Sequence, residues 1–285
     1  MLPAAIGLRA RCAAALLLLV PAASGADGVP DCPAAFQDLD GVATFYDADG
    51  SGNCGFDPSL DLLVTAVANP DWAGSAQCGR CLEVWGPEAT IVVRVVDRCP
   101  ECPSGHLDLS AEAFDLIADP VMGIVPIAFR SVPCPVAGNL SVRQKEGSNN
   151  WWLGLQVRDH RHAVASVELR EQSASAWQLL PRADWNYFIA EAGGSGFQFP
   201  LDLRITDVHG HVVVENDLLT SVVPGLVVPG TTQFEACAGI FVDGFETGTA
   251  APLWTHAAPS TNPGASDRAF AAAAAASEKR SSIEG

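Results

Sequence analysis

The sequence predicts an all-β protein with two folded domains. Short apolar runs alternate with Pro- and Gly-rich turns along most of the chain, and only one segment has a clear helical pattern. The two halves also differ in cysteine content, because none occurs between Cys134 and Cys237. A length of 285 residues with 48% hydrophobic content allows two ordinary domains with packed cores.

We predict four segments along the chain. A signal peptide occupies 1–26, a first domain 27–136, a second domain 137–230, and an irregular, mostly disordered tail 231–285. The plausible boundary between the domains is the sequence P-C-P-V-A-G-N, after which the pattern changes from cysteine-linked short strands to regular hairpins. The tail is rich in Pro, Ser, Thr and Ala.

The first segment has the features of a secretory signal. Arg9 and Arg11 precede an apolar run, and small residues follow it. The run is too short to span a bilayer comfortably and contains Pro21. We therefore expect a secreted, extracellular protein without a membrane partner.

The first domain is predicted to combine several short strands with one short helix. The segment 60–68 fits both helical and strand periods, so its type stays open. Ser110 caps the helix, whose apolar face is Ala113, Phe114 and Ile117. The predicted strands are 41–46, 82–84, 91–96 and 124–132.

The second domain is predicted to be a β-sandwich, because about seven strands without helices follow one another at hairpin spacing. His209-Gly210 forms a hairpin turn between the last two. The predicted strands are 140–144, 152–157, 163–169, 177–180, 187–189, 201–206 and 212–215.

Eight cysteines remain once Cys12 leaves with the signal peptide. An even number in an exported chain indicates disulfides. The two C-x-x-C pairs also fit zinc-ribbon spacing, which is the competing interpretation. The eight are Cys32, Cys54, Cys78, Cys81, Cys99, Cys102, Cys134 and Cys237.

The charge of the chain excludes some partners. The signal holds two of the 16 basic residues and none of the 33 acidic ones, so 14 basic and 33 acidic residues remain, a formal charge of −19. Nucleic acids and anionic membranes require a basic face, so we expect neither as a partner. Neutral polysaccharides stay possible.

Two aspartates border a loop that follows an apolar strand. Asp97 ends the strand, and Asp108 lies between two leucines that could desolvate it, which favours Asp108 as a general acid. Asp47 and Asp49 in another loop are possible bases for glycosidic hydrolysis. The alternative is that Asp97 and Asp108 only form turns or caps.

Three tryptophans are candidates for sugar binding, because exposed aromatic rings stack on the apolar face of a pyranose. They are Trp151, Trp152 and Trp185, and the alternative is that all three are core residues. Strand alternation places Trp152 outward with Gln156, and Trp151 inward unless the strand begins only at Trp152.

Taken together, these segments resemble the expansins, specifically the bacterial expansin-like proteins, over about residues 41–228. Four motifs occur in the expected order: A-T-F-Y, C-G-R-C, V-D-R-C-P-E-C with L-D-L-S, and K-E-G-S-N-N-W-W. The resemblance implies a six-stranded double-psi β-barrel, followed by an immunoglobulin-like β-sandwich that binds cellulose.

The resemblance also assigns roles by position. Thr44, Asp97 and Asp108 match the polar groups of the barrel groove, with Asp108 at the place of the essential acid. Lys145 matches a lysine beside the aromatic platform. The platform itself matches Trp151, Trp152 and Trp185, which would expose both adjacent tryptophans, and Tyr46 of the A-T-F-Y motif is a further substrate-binding candidate.

The cysteines match the plant-type domains of the family. This similarity implies the pairs Cys54–Cys78, Cys81–Cys134 and Cys99–Cys102, while a pairing of Cys32 with Cys237 is a guess. One departure affects the groove: Cys99 stands where some bacterial members have a tyrosine.

The resemblance implies loosening of cell walls without hydrolysis. Expansins resemble family-45 endoglucanases in the barrel but lack the catalytic base. By this resemblance, Asp47 lies one position short of the place of that base. We expect a monomer without cofactor or metal that binds cellulose, xyloglucan or another plant or bacterial cell-wall polysaccharide. An endoglucanase and a purely carbohydrate-binding protein are the alternatives.

Overall fold

Residues 39–237 of the chain are described by a computed structural model. The predicted signal peptide at 1–26 and the part of the tail from 238 onward lie outside this range. No helix within 39–237 is long and apolar enough to cross a membrane.

The first domain is a closed six-stranded barrel. Its strands are β1 (Leu39–Tyr46), β2 (Val64–Ala68), β3 (Cys81–Trp85), β4 (Thr90–Cys99), β5 (His106–Ser110) and β6 (Val125–Val132). Their order around the barrel is β1-β5-β2-β4-β3-β6. The pairs β1/β5 and β2/β4 are parallel and the others antiparallel, which gives the double-psi β-barrel.

The segment 60–68, whose type the sequence left open, contains strand β2 at Val64–Ala68 and no regular structure before it. All five of its residues are buried, so the polar alternation that identifies a half-exposed strand is missing. The single helix α1 (Ala111–Ile117) begins as predicted, since the Ser110 side chain accepts a hydrogen bond from the backbone of Ala113. Its buried face closes the barrel core with Phe114, which is fully buried. Short 3-10 turns occupy Asn69–Asp71 and Pro120–Met122.

The second domain is a sandwich of two four-stranded antiparallel sheets. One sheet has the order β10-β9-β12-β13 and the other β11-β8-β7-β14. Leu153, Leu155 and Leu203 are fully buried between them. The strands are β7 (Ser141–Gln144), β8 (Trp152–Arg158), β9 (Val164–Glu171), β10 (Gln178–Leu179), β11 (Phe188–Glu191), β12 (Leu201–Asp207), β13 (Val212–Leu219) and β14 (Val227–Pro229).

The first residues of the predicted tail differ from the expectation of disorder. Residues 231–237 have no regular secondary structure, but Phe234 is only 1% exposed and belongs to the sandwich core. The Gln233 side chain donates to the backbone of Asp159, and the imidazole of His162 bonds the carbonyl of Glu235. One buried aromatic ring therefore anchors the chain beyond the last strand, which polar composition alone did not indicate.

Candidate functional site

The barrel brings Thr44 and Asp108 together in the predicted groove. They are direct neighbours in the parallel pairing of β1 and β5. The Thr44 hydroxyl donates a hydrogen bond to Asp108 Oδ1 at 2.5 Å. The two side chains that the resemblance placed in the groove are therefore in contact, although 64 positions separate them in sequence.

His106 is a groove residue that the sequence reasoning missed. Its Nε2 lies 2.8 Å from the hydroxyl of Thr44. Because that hydroxyl gives its only proton to Asp108, it accepts from His106, and the Nε2 atom must carry the proton. The missed signal was the pattern H-L-D, since residues two apart on a strand face the same side.

Asp97 lies near the end of β4 and is bound to the loop that precedes β2. Its Oδ1 accepts from the backbone of Asn53 at 2.7 Å and of Arg98 at 2.8 Å. The loop approaches so closely that a Cβ atom on Gly52 would lie 2.4 Å from the Asp97 side chain. Asp97 therefore fixes this loop.

Tyr46 lies close enough to Asp97 and Asp108 for their charges to affect the pKa of its phenol. Burial raises the pKa of its phenol above the usual value, and the negative charges of Asp97, Asp108 and Asp49 raise it further. The half-buried ring packs against the Cys99–Cys102 pair. The Tyr46 hydroxyl is buried and has no hydrogen-bond partner within residues 39–237.

The two candidate bases in the loop differ in their relation to the groove. Asp49 is the one whose charge acts on Tyr46 together with Asp97 and Asp108. Its Oδ1 accepts from the backbone and the hydroxyl of Ser51, and these bonds lower the pKa of Asp49. Asp47, which lies nearer to the place of the hydrolase base, is exposed like Asp49, but its charge is not among those that act on Tyr46.

The tryptophans at 151 and 152 both reach solvent, which corrects the alternation argument. Trp151 is 55% exposed and Trp152 is half-buried. The reason is that β8 begins only at Trp152, while Trp151 lies in the preceding turn. The Asn149 side chain accepts from both backbone N–H groups and holds this turn.

Lys145 and Trp185 extend the exposed surface beyond this pair. Trp185 is 40% exposed. Lys145 Nζ lies 5.4 Å from the centre of the Trp185 ring, within the range of a cation–π contact. The side chains of Trp152 and Lys145 both pack over Gly154. A Cβ atom added at this glycine would lie 3.1 Å from Trp152 and 3.0 Å from Lys145. We call Trp151, Trp152 and Trp185, with Lys145, the aromatic platform.

The platform adjoins the loop that Asp97 fixes. A cavity of about 380 Å³ is lined on the barrel side by Gly52, Asn53 and Gly55. On the sandwich side it is lined by residues that include Lys145 and Trp185. The cavity therefore lies between the barrel loop beside Asp97 and the part of the platform formed by Lys145 and Trp185.

Ion pairs fix the barrel against the sandwich beside this cavity. Asp57 of the barrel pairs with Arg143 and Arg158 of the sandwich, each at 2.6 Å. Hydrogen bonds from the two arginines lower the pKa of the Asp57 carboxyl, and the bond from Arg158 has the larger effect. Arg143 also bonds Glu146.

Gln156 forms the buried centre of the interface. The sequence pattern placed it on an outward face with Trp152, but it is fully buried because the barrel covers that face of β8. Its amide nitrogen donates to the Cys54 carbonyl at 2.8 Å, and its oxygen accepts from Arg158 at 2.6 Å. One face of the sheet thus carries both an exposed platform and a domain interface.

A second set of contacts holds the other side of the interface. The indole of the buried Trp72 donates to Asp184 at 2.8 Å, and Arg98 pairs with the same carboxylate at 3.0 Å. The Ser75 hydroxyl donates to the carbonyl of Ala183 at 2.8 Å. Asp184 immediately precedes Trp185, so these bonds also fix the position of a platform ring.

The barrel cysteines form three disulfides: Cys54–Cys78, Cys81–Cys134 and Cys99–Cys102. These are the pairings that the resemblance implied, and they exclude the zinc-ribbon alternative because none of these six sulfurs is a free thiolate. Cys237 is also disulfide-bonded. Its suggested pairing with Cys32 lies outside the described residues.

Comparisons with known proteins agree with this architecture. A family model described as lytic transglycolase matches residues 64–129. Expansin-YoaJ of Bacillus subtilis is 36% identical over 72% of this chain and 86% of its own length. The crystal structure of the expansin of Clavibacter michiganensis is 34% identical, with a TM-score of 0.62 over 70% of this chain and 98% of that one. A mutant of that expansin in complex with cellohexaose matches equally well. The chain therefore belongs to the expansin family.

Proposed function

We propose that this protein is a secreted cell-wall-loosening protein that binds cellulose and related β-1,4-glucans and separates their chains without hydrolysis. The observation that carries the proposal is the cavity between the barrel loop beside Asp97 and the Lys145–Trp185 part of the platform, held by a fixed domain interface. A relative crystallised with cellohexaose, an oligomer of cellulose, supports this ligand class.

The two parts of the surface suit different faces of a glucan chain. The exposed rings of the platform can stack on the apolar faces of successive pyranoses. The groove offers carboxylate acceptors on the partly exposed Asp97 and Asp108 for the equatorial hydroxyls. A chain held by both surfaces exchanges contacts with its neighbours for contacts with the protein, which loosens the wall.

The arrangement of carboxylates favours a non-hydrolytic mode. Hydrolysis by inversion needs a protonated acid and a second carboxylate that activates water. Asp97 Oδ1 already accepts two backbone N–H groups. The hydrogen bonds from Ser51 make Asp49 a weaker base, because they lower its pKa. We infer that Asp108 hydrogen-bonds the sugar.

The export signal, the disulfides and the net acidity are consistent with action outside the cell on neutral polysaccharide. Xyloglucan and other plant or bacterial wall polysaccharides are further candidate ligands. With a formal charge of −17 for the whole chain, attachment to acidic pectins should be weak. We expect a monomer.

A paired assay on the same preparation tests the proposal. Weakening of filter paper is measured beside the release of reducing ends from filter paper and from soluble and amorphous glucans. We expect weakening without new reducing ends. New reducing ends that vanish in Asp108→Asn would instead establish an endoglucanase, and adsorption without weakening would leave a purely carbohydrate-binding protein.

One observation favours the endoglucanase as a second candidate. Asp49 acts electrostatically on the same phenol as Asp97 and Asp108, so a loop carboxylate faces the groove. If it activates water, Asp49→Asn abolishes hydrolysis as completely as Asp108→Asn. Asp61→Asn, which removes an exposed carboxylate farther along the same loop, serves as the matched control.

A further inference from the structure

A cluster of histidines and one aspartate lies in the second domain and has no role in the proposed function. The hairpin turn between β12 and β13 reads D-V-H-G-H, with Asp207, His209 and His211 at alternate positions. Gly210 has a φ of +88° and allows the tight turn. The turn places three potential metal ligands within five residues.

A third imidazole joins this turn from the segment before β9. The ring of His162 is centred 4.9 Å from that of His209 and 5.7 Å from that of His211. His162 is only 3% exposed, whereas His211 is partly exposed, so the cluster is open to solvent on the side of the turn.

The hydrogen bonds of His162 leave one ring nitrogen suited to a metal. Its Nε2 lies 2.9 Å from the carbonyl oxygen of Glu235. A carbonyl oxygen can only accept, so Nε2 carries the proton and Nδ1 keeps its lone pair. Metal-ligating histidines usually donate their other N–H to a carbonyl or carboxylate in this way.

Asp207 supplies a carboxylate whose side chain is completely buried. Its Oδ1 accepts from the backbone N–H groups of His209 and His211, and its Oδ2 lies 2.8 Å from His211 Nδ1. Each of His162, Asp207 and His211 offers one ligand atom, and these three atoms lie within 4.8 Å of one another. Two ligand atoms that each lie about 2.0–2.2 Å from one zinc ion are at most about 4.4 Å apart, so small side-chain rotations bring this set to bonding distance.

We propose that His162, Asp207 and His211 form a binding site for Zn²⁺ or a similar transition-metal ion. The ion takes the place of the proton between Asp207 Oδ2 and His211 Nδ1, and that proton leaves to solvent. Two imidazoles and one carboxylate suit zinc, whereas Ca²⁺ and Mg²⁺ prefer all-oxygen sites. Cys237 is not a ligand, although its sulfur lies 3.6 Å from His162, because it is disulfide-bonded. The bound ion ties the turn to the segment 233–237 through His162 and Glu235.

Metal binding by the full, tag-free protein tests this site. After chelator treatment, the protein is titrated with Zn²⁺ by calorimetry, and unfolding is followed with Zn²⁺, with Mg²⁺ and without metal. We expect one Zn²⁺ per chain, a higher Tm with Zn²⁺ and no change with Mg²⁺. His211→Asn should weaken binding by at least about 100-fold, since even loss of a residue that only orients a ligand costs about 10–100-fold.

His106→Asn is the matched control, because it removes a partly buried histidine from the other domain. The Zn²⁺ affinity of this variant should equal that of the parent. Absence of Zn²⁺ binding by the parent overturns the proposal and leaves Asp207–His211 as an ion pair. Equal binding by His211→Asn and the parent overturns it as well. Co²⁺ absorption gives a second readout, since d–d bands present in the parent and lost in folded His211→Asn report the ligands directly.

Discussion

Replacing Gln156 by alanine tests whether the fixed interface holds the two halves of the site together. The amide lies in a fully buried position and connects the Cys54 carbonyl to the Arg158 guanidinium. Alanine fills none of the vacated hydrogen-bonding positions. The variant therefore leaves the Nε–H donor of Arg158 without its acceptor in a place that water cannot easily reach, while the guanidinium keeps its ion pair with Asp57.

The expected cost follows from the bonds with Cys54 and Arg158, since the third bond, from the Gln156 amide to the Gly55 carbonyl, is long at 3.3 Å. A hydrogen bond to a charged group contributes about 1.5–3 kcal/mol and a neutral one about 0.5–1.5 kcal/mol. The Cys54 carbonyl keeps a second bond from Asn186 at 3.1 Å, which limits the loss on that side. We expect the free energy of unfolding to fall by about 2–4 kcal/mol, which lowers Tm by about 5–15 °C for a protein of this size.

Thermal unfolding of the variant is measured beside adsorption to cellulose. Gln198→Ala is the matched control, because this exposed glutamine bonds only residues close to it and should change stability by less than about 0.5 kcal/mol. Adsorption of Gln156→Ala should also weaken, since the amide supports the loop between groove and platform. A Tm drop no larger than that of Gln198→Ala would refute the reasoning.

Three further predictions concern the platform, the disulfides and the interface charge. Changing all three platform tryptophans to alanine should weaken adsorption to cellulose by about a hundredfold, because each ring contributes about 1 kcal/mol or more to binding. The control Trp177→Ala, at the opposite sheet, should leave adsorption intact. Replacing both cysteines of Cys81–Cys134 by serine should destabilise by about 4 kcal/mol, because that bond closes a long loop. The same change at Cys99–Cys102 should cost about 2 kcal/mol, as urea unfolding will show. Ion pairing holds the pKa of Asp57 below its unfolded value, so its contribution is present above the unfolded pKa and lost as pH falls through the folded one. Asp57→Asn should flatten the acid side of a Tm-against-pH curve, and an unchanged curve would count against the ion pairs.

The sequence by itself determined the all-β class, the helix at Ser110 and the hairpin at His209-Gly210, because caps, turns and alternation are local. The ordered motifs also identified the family, and the resemblance to it made Thr44 and Asp108 candidates for the barrel groove. Local pattern was insufficient wherever a strand is covered on both faces, as in β2 and at Gln156. There the burial is imposed by a distant segment that no periodicity encodes.

Only the tertiary structure decided which polar groups meet. The parallel pairing of β1 with β5 adds His106 to Thr44 and Asp108, and the start of β8 at Trp152 exposes both adjacent tryptophans. The packing of His162 against the turn at Asp207 likewise joins residues far apart in the chain. The sequence names the chemical groups, but the closure of the barrel and the docking of the sandwich fix their distances.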